Sequence, residues 1–266
     1  MFLFDLGLVP TEIYAKKLIN QGMILGDSAL VNRKIETGEF ISAELAENHR
    51  VQKLNVDVSI VNSNNELNID QFKAWQSEFK NAEFIMNKVF KVEREVQKMS
   101  KSKFNVVNPD DICDNYGADT LRLYEMFLGP IEQSKPWNTN GISGVYNFLN
   151  KVWRLFFNDN ELVISESEPD KESLKALHGT IKKINKDIES FSFNTCVSAL
   201  MILVNKLNEI KCHSRTVLED LIVLLSPFAP HISEELWNVL GHDNSIADEE
   251  YPVHNPKYLI ETEKKY

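Results

Sequence analysis

Between residues 141 and 241 apolar side chains recur every three or four positions in five separate stretches. Val145, Phe148, Leu149, Val152, Trp153 and Phe156 make one wide face, and Leu174, Leu177, Ile181, Ile184 and Ile188 step by 3, 4, 3 and 4. Val197, Leu200, Met201, Val204 and Leu207 form a third stripe, Val217, Leu218, Leu221, Ile222 and Leu225 a fourth, and Ile232, Leu236, Trp237 and Leu240 a fifth. Helices that each carry one apolar stripe and are joined by short polar loops bury those stripes against one another as an antiparallel bundle. The bundle is assigned to residues 141–250. With only 10 Gly and 9 Pro in 266 residues, the chain has few helix breakers, and the expected fold class is mainly α.

The first half has a different texture. Thr11 to Gln21 reads as a helix after Pro10, with Tyr14, Leu18 and Ile19 at helical spacing and Gly22 as its stop. From Ala29 to Ala43 two β-type runs flank Thr37-Gly38 as a hairpin, and Leu54, Val56, Val58 and Ile60 alternate like a half-buried strand. Asp70 is placed to cap a short helix carrying Phe72, Trp75 and Phe79, and Phe90, Val92 and Val96 alternate again. Residues 26–92 therefore form a small α+β unit inserted between helical parts. Asn108 and Pro109 supply a cap and a first-turn proline before Asp110 and Asp111, Gly117 can end that turn, and a second helix follows from Ala118 to Leu128.

Global charge restricts partners. The chain carries 29 Lys and Arg against 39 acids, a net −10 that repels polyanions on average, so contact with nucleic acid has to be local. Cys113, Cys196 and Cys212 are scattered without ligand spacing, which predicts reduced thiols and no metal site. The apolar run Leu221 to Ser233 is broken by Pro227 and Pro230 and is shorter than the ~20 residues a membrane span needs. No basic leader or small-residue cleavage site precedes the apolar N-terminal residues, so the expected compartment is cytoplasmic, with no membrane partner.

One segment reverses the charge balance. Lys88, Lys91, Arg94, Lys98, Lys101 and Lys103 are six cations set against Glu93 and Glu95. At its end lies Lys98-Met99-Ser100-Lys101-Ser102, two ammonium groups and two hydroxyls between a strand and a helix. Such a loop can wrap a polyphosphate, with ammoniums neutralising oxygens and hydroxyls and backbone N–H groups donating to them. A solvated basic turn is the plainer reading of a generic pentamer of this kind. Among the remaining residues, Trp153 and Trp237 sit on apolar stripes and read as core. Asp110 and Asp111 read as helix-dipole partners, and His231 as a packed or capping histidine. Cys212 and His213 are neighbours whose side chains diverge on a helix, so they make no nucleophile pair.

The Lys-Met-Ser-Lys-Ser string resembles the second signature of class I aminoacyl-tRNA synthetases. The surrounding sequence extends the likeness to leucyl-tRNA synthetases of the bacterial type. Val106-Val107-Asn108-Pro109-Asp110-Asp111, Tyr116 through Tyr124, Phe127 through Pro130, Glu132, Gln133 and Trp137 resemble the stem-contact region that follows the loop. Gln21-Gly22-Met23, with an insertion directly before the loop, matches the leucine-specific insertion. Phe193-Asn194-Thr195 and Ser226 through Trp237 are similar to the helical anticodon-binding domain. Two departures stand out. Phe104 precedes Asn105 where the family has Gly, which bears on the loop's hinge. The six histidines never form the His-x-Gly-His signature, which in this family lies upstream together with the editing domain.

The resemblance implies an internal piece of a larger enzyme. Residues 1–25 would end the nucleotide-binding core, 26–92 would be the leucine-specific insertion, and 93–140 the lysine loop with the stem-contact region. Residues 141–250 would be the anticodon-binding-type bundle, and 251–266 the start of a C-terminal extension. By the same likeness Lys101 would bind the ATP phosphates and steady the leaving pyrophosphate, assisted by Lys98. Ser100 and Ser102 would order the loop and Met99 would only pack. ATP with Mg2+ is the implied cofactor, leucine and tRNA(Leu) the implied substrates. For tRNA the bundle offers Lys151 and Arg154, and Lys175, Lys182 and Lys186. The isolated chain should not activate leucine. The alternative class is a free-standing, non-catalytic helical tRNA- or RNA-binding module.

Overall fold

The computed structural model describes residues 2–13 and 15–259; Tyr14 and the Glu261–Lys265 run lie outside the described residues. The fold is mainly α, about 47% helical, with a small mixed sheet. Its elements are helix α1 (Phe2–Asp5), strands β1 (Ile24–Lys34), β2 (Phe40–Ile41) and β3 (Val51–Val56), helix α2 (Ile69–Trp75), and strands β4 (Phe84–Ile85) and β5 (Glu93–Lys98). Helices α3 (Pro109–Tyr116) and α4 (Ala118–Phe127), strand β6 (Lys135–Pro136), helix α5 (Ile142–Phe156) and a small ribbon β7 (Phe157–Asn158) with β8 (Glu161–Leu162) come next. Helices α6 (Lys171–Glu189), α7 (Phe193–Glu209), α8 (Arg215–Leu225) and α9 (Pro230–Val239) complete the chain.

The five apolar stripes become α5 to α9, and their inward residues form one continuous core that also takes in Leu123, Tyr124 and Trp137. Trp153 departs from its stripe. It is 36% exposed and stacks on Phe157 at 4.6 Å, because its position falls on the outer edge of the α5 face whose centre is Val145, Leu149, Val152 and Phe156. His231 lies in the cap region of α9 with its ring exposed and Nδ1 2.8 Å from Asp119 Oδ1, and Trp237 is buried with its ring stacked on His242. His213 Nδ1–H donates to the Leu155 carbonyl at 2.9 Å, away from any thiol chemistry.

The sheet is organised by β1, which pairs antiparallel with β3 along one part, with β5 along another, with β2 near its end, and parallel with β6 at its start. The hairpin forms, yet β1 begins five residues earlier than the apolar pattern suggests: Ser28 and Asn32 are polar but fully buried, Ser28 Oγ accepting from Asn105 Nδ2 and Asn32 Nδ2 donating to Glu93 of β5, while Asn32 Oδ1 has no partner among the described residues. Against this sheet Phe40, Phe72, Phe79 and Phe90 pack a second, aromatic core, with Phe72 stacked on Phe79 at 4.6 Å.

Three local expectations are corrected. The Thr11–Gln21 helix does not form: Ile13 and Leu18 are 73% and 83% exposed, and a helix of that length without a packed face is marginal in water. The strand through Leu54 stops at Val56, because the Asp57 carboxylate accepts from the Ser59 N–H at 2.9 Å and turns the chain into a 3-10 turn. Asn68, not Asp70, caps α2 through the Gln71 N–H at 3.1 Å, and Phe79 lies past the helix in a separate 3-10 turn. Asn108, Pro109 and Gly117 take the capping places read for them. Among the described residues no helix is long and apolar enough to cross a membrane.

Candidate functional site

The lysine loop leaves the sheet at the end of β5, where Lys98 faces Leu25 of β1 in register. Lys101 to Lys103 form a single 3-10 turn, and Phe104 follows in the left-handed region with φ 51° and ψ 34°. Asn105, 1% exposed, ties the two limbs together. Its Oδ1 accepts from the Ser100 N–H at 2.9 Å, and its Nδ2 donates to Ser28 Oγ at 2.8 Å and more weakly to the Lys98 carbonyl at 3.4 Å. A buried amide saturated in this way holds the loop's base while leaving its crest in water. Gly26 allows the close approach: a Cβ there would lie 2.6 Å from the Asn105 carbonyl oxygen.

The predicted loop residues then take distinct places. Lys98 and Lys101 are exposed, and neither ammonium has a hydrogen bond or ion pair among the described residues. Ser100 and Ser102 pair through their hydroxyls at 3.1 Å, which orders the crest. Met99 is half-buried and packs on the bundle core. Two of the six cations are withdrawn from the wider patch. Lys91 is spent on Glu66 at 3.0 Å, and Arg94 reaches Asp27 at 3.7 Å and the Asn65 side chain at 3.1 Å, while Lys53 neutralises Glu93. Each contact withdraws its cation from any anion site, and for Arg94 and Asp27 the partners sit on the paired strands β5 and β1.

Behind the loop, residues that read as recognition motifs in sequence hold the structure together. The Asp119 carboxylate, 7% exposed, accepts from the backbone N–H groups of His231 at 3.3 Å and Ile232 at 2.7 Å and so caps α9. Arg122 donates to the Pro227 carbonyl at 3.1 Å, and the Tyr124 hydroxyl donates to the Asn138 carbonyl. Burial raises the pKa of that phenol. Gly22 is pressed against Gln133, whose carbonyl a Cβ would meet at 2.1 Å, and Lys135 N–H donates to the Met23 carbonyl at 2.9 Å. These joints were missed in sequence; the only available signal was the apposition of acid and first-turn proline in two distant motifs.

The candidate tRNA residues divide between two helices. Lys151 and Arg154 are exposed on α5, with Lys151 Nζ donating to Asn205 Oδ1 of α7 at 2.8 Å. Lys175, Lys182 and Lys186 are exposed on α6. Both helices pack on α7.

Two family models match parts of the chain. Residues 74–135 match the tRNA synthetases class I (I, L, M and V), and residues 170–266 match the anticodon-binding domain of tRNA ligase. The whole chain is 59% identical to Leucine–tRNA ligase of Flavobacterium johnsoniae and 57% identical to that of Flavobacterium psychrophilum, spanning 28% of each relative's length. A crystal structure of an Agrobacterium radiobacter K84 LeuRS–tRNA–LeuAMS ternary complex aligns at 32% identity with a TM-score of 0.53, over 62% of this chain and 23% of that one. With both family segments in order, the chain is similar from end to end to a stretch of the leucine–tRNA ligases about 28% of their length.

Proposed function

We propose that this chain supplies the ATP-phosphate loop and the tRNA-binding bundle of a leucine–tRNA ligase. The observation that carries the reading is the pair of exposed ammoniums, Lys98 and Lys101, unpaired among the described residues on a loop whose base is fixed by buried Asn105. The leucine carboxylate attacks the α-phosphorus of ATP, pyrophosphate leaves, and a terminal ribose hydroxyl of tRNA(Leu) then attacks the leucyl carbonyl of the adenylate, releasing AMP. Charge builds on the β- and γ-phosphates as the bond to the α-phosphorus breaks. Lys101 neutralises that charge and Lys98 assists, while Ser100, Ser102 and backbone N–H groups orient the phosphates. No protein nucleophile is required, and the catalytic contribution is positioning and charge stabilisation.

The residues present do not form a holder for the Mg2+ expected with ATP. Among the described residues no three His, Cys, Asp or Glu side chains converge, so the ion has no assigned ligand in this stretch. Lys151, Arg154, Lys175, Lys182 and Lys186 would neutralise tRNA backbone phosphates. The parts of the parent enzyme follow the boundaries 1–25, 26–92, 93–140, 141–250 and 251–266, and its compartment is cytoplasmic. Leucine-dependent ATP–pyrophosphate exchange by the complete enzyme tests the reading. Lys101→Ala should lower the rate by about a hundredfold with the fold intact, in the range of a lost charge-stabilising donor. The 266-residue chain alone should give no exchange; an unchanged Lys101→Ala rate would remove the role.

A further inference from the structure

The outgoing limb of the lysine loop is gripped by the α+β insertion at two points. Phe104 occupies left-handed backbone at φ 51°, where an aromatic side chain is strained and glycine would not be. Its ring meets Trp75, the last residue of α2, edge to face with centroids 4.7 Å apart and planes at 84°. Its carbonyl accepts from the Val58 N–H at 3.2 Å, at the head of the 3-10 turn that ends β3's path. Trp75 in turn lies against the aromatic core, stacked on Phe79 at 6.1 Å and tilted against Phe72 at 6.2 Å. An unfavourable backbone conformation persists only where its surroundings over-determine it, and here the surroundings are the insertion's own core.

We infer that Phe104 and Trp75 are positioning residues for the lysine loop: their edge-to-face contact latches the loop's hinge to the insertion, so that Lys98 and Lys101 meet ATP from a restricted set of conformations. The inference rests on the reading of the loop as the phosphate holder. Pre-ordering the hinge lowers the entropy lost when the nucleotide binds, so releasing it weakens ATP binding more than it slows the bound complex.

The test uses the complete enzyme that contains this chain. Brief trypsin treatment without nucleotide, with fragments mapped by mass spectrometry, reports opening at Lys98, Lys101 and Lys103. Phe104→Gly keeps the left-handed conformation and deletes the ring. It should raise cleavage there about tenfold and raise the KM for ATP about three- to tenfold with kcat changed less than twofold. Phe104→Tyr, which retains the edge-to-face contact, should behave as the native protein. Trp75→Ala should reproduce Phe104→Gly, and the double variant should be no worse than either alone, the signature of one shared contact. If Trp75→Ala fails to fold, Phe104→Gly and Phe104→Tyr still decide the matter. Unchanged cleavage in Phe104→Gly overturns the latch. Faster cleavage with an unchanged KM for ATP overturns its positioning role. Indifference of pyrophosphate exchange to Lys101→Ala is a separate failure, that of the phosphate reading itself.

Discussion

Asp119 and His231 are 112 residues apart in sequence and in contact in space, with Asp119 Oδ1 2.8 Å from His231 Nδ1. The same carboxylate takes the first free N–H groups of α9, so a residue in the first turn of one helix closes the start of another. Asp119→Ala leaves those donors without their partner in a 7% exposed setting and should cost about 1–3 kcal/mol. Asp119→Asn, which keeps an acceptor, should cost less. Urea unfolding midpoints of the two variants check the order, and equal midpoints for Asp119→Ala and the native chain would contradict the cap.

Asp220 in α8 is the clearest pH lever. Burial, reinforced by the charge of Glu219, pushes its carboxyl up to about 6. The folded state therefore binds a proton more readily than the unfolded state, and this group's contribution makes stability fall as pH rises from about 4 through 6. Asp220→Asn should stabilise the chain by up to about 2 kcal/mol at pH 7 and by almost nothing near pH 4. Thermal unfolding at the two pH values measures it; an equal gain at both would remove electrostatics as the cause.

Two glycines should respond in opposite directions. Gly26→Ala drives a methyl to 2.6 Å from the Asn105 carbonyl oxygen, so β1 or the loop's return limb must shift, at about 1–3 kcal/mol. Gly144 is helical within α5 and a Cβ there meets nothing within 4 Å. Gly144→Ala should gain about 0.5–1 kcal/mol. Denaturation curves for both variants decide, and a stabilised Gly26→Ala would mean the close approach is not maintained.

Lys182 and Lys186, exposed and one turn apart on α6, offer a test of the tRNA face. Replacing both by Ala in the complete enzyme should weaken tRNA binding and flatten the salt dependence of log affinity by roughly 1–2 in slope. An unaltered slope would assign these lysines to a merely solvated surface.

Legibility in the sequence followed the locality of the forces. The α5 to α9 stripes were plain because each helix declares its buried face within its own residues, and the Asn108-Pro109 start was plain because a cap acts over three positions. The Thr11–Gln21 pattern failed for the complementary reason: a stripe predicts a helix only where something covers it, and Leu18 has no cover. The lysine loop's string was visible, but not which of its neighbouring cations were free. Lys91 and Arg94 are withdrawn by acids and amides from distant segments.

By itself the sequence determined a mainly helical chain, an inserted α+β unit and a loop rich in ammonium and hydroxyl groups, all consequences of periodicity and local composition. Only the tertiary structure decided that buried Asn105 is clasped to Ser28 of β1, that Phe104 leans on Trp75, and that Asp119 belongs to α9. Each of those contacts joins residues whose pairing depends on how strands and helices stack. No short-range signal encodes them, because the energy that fixes them exists only once the intervening chain has folded.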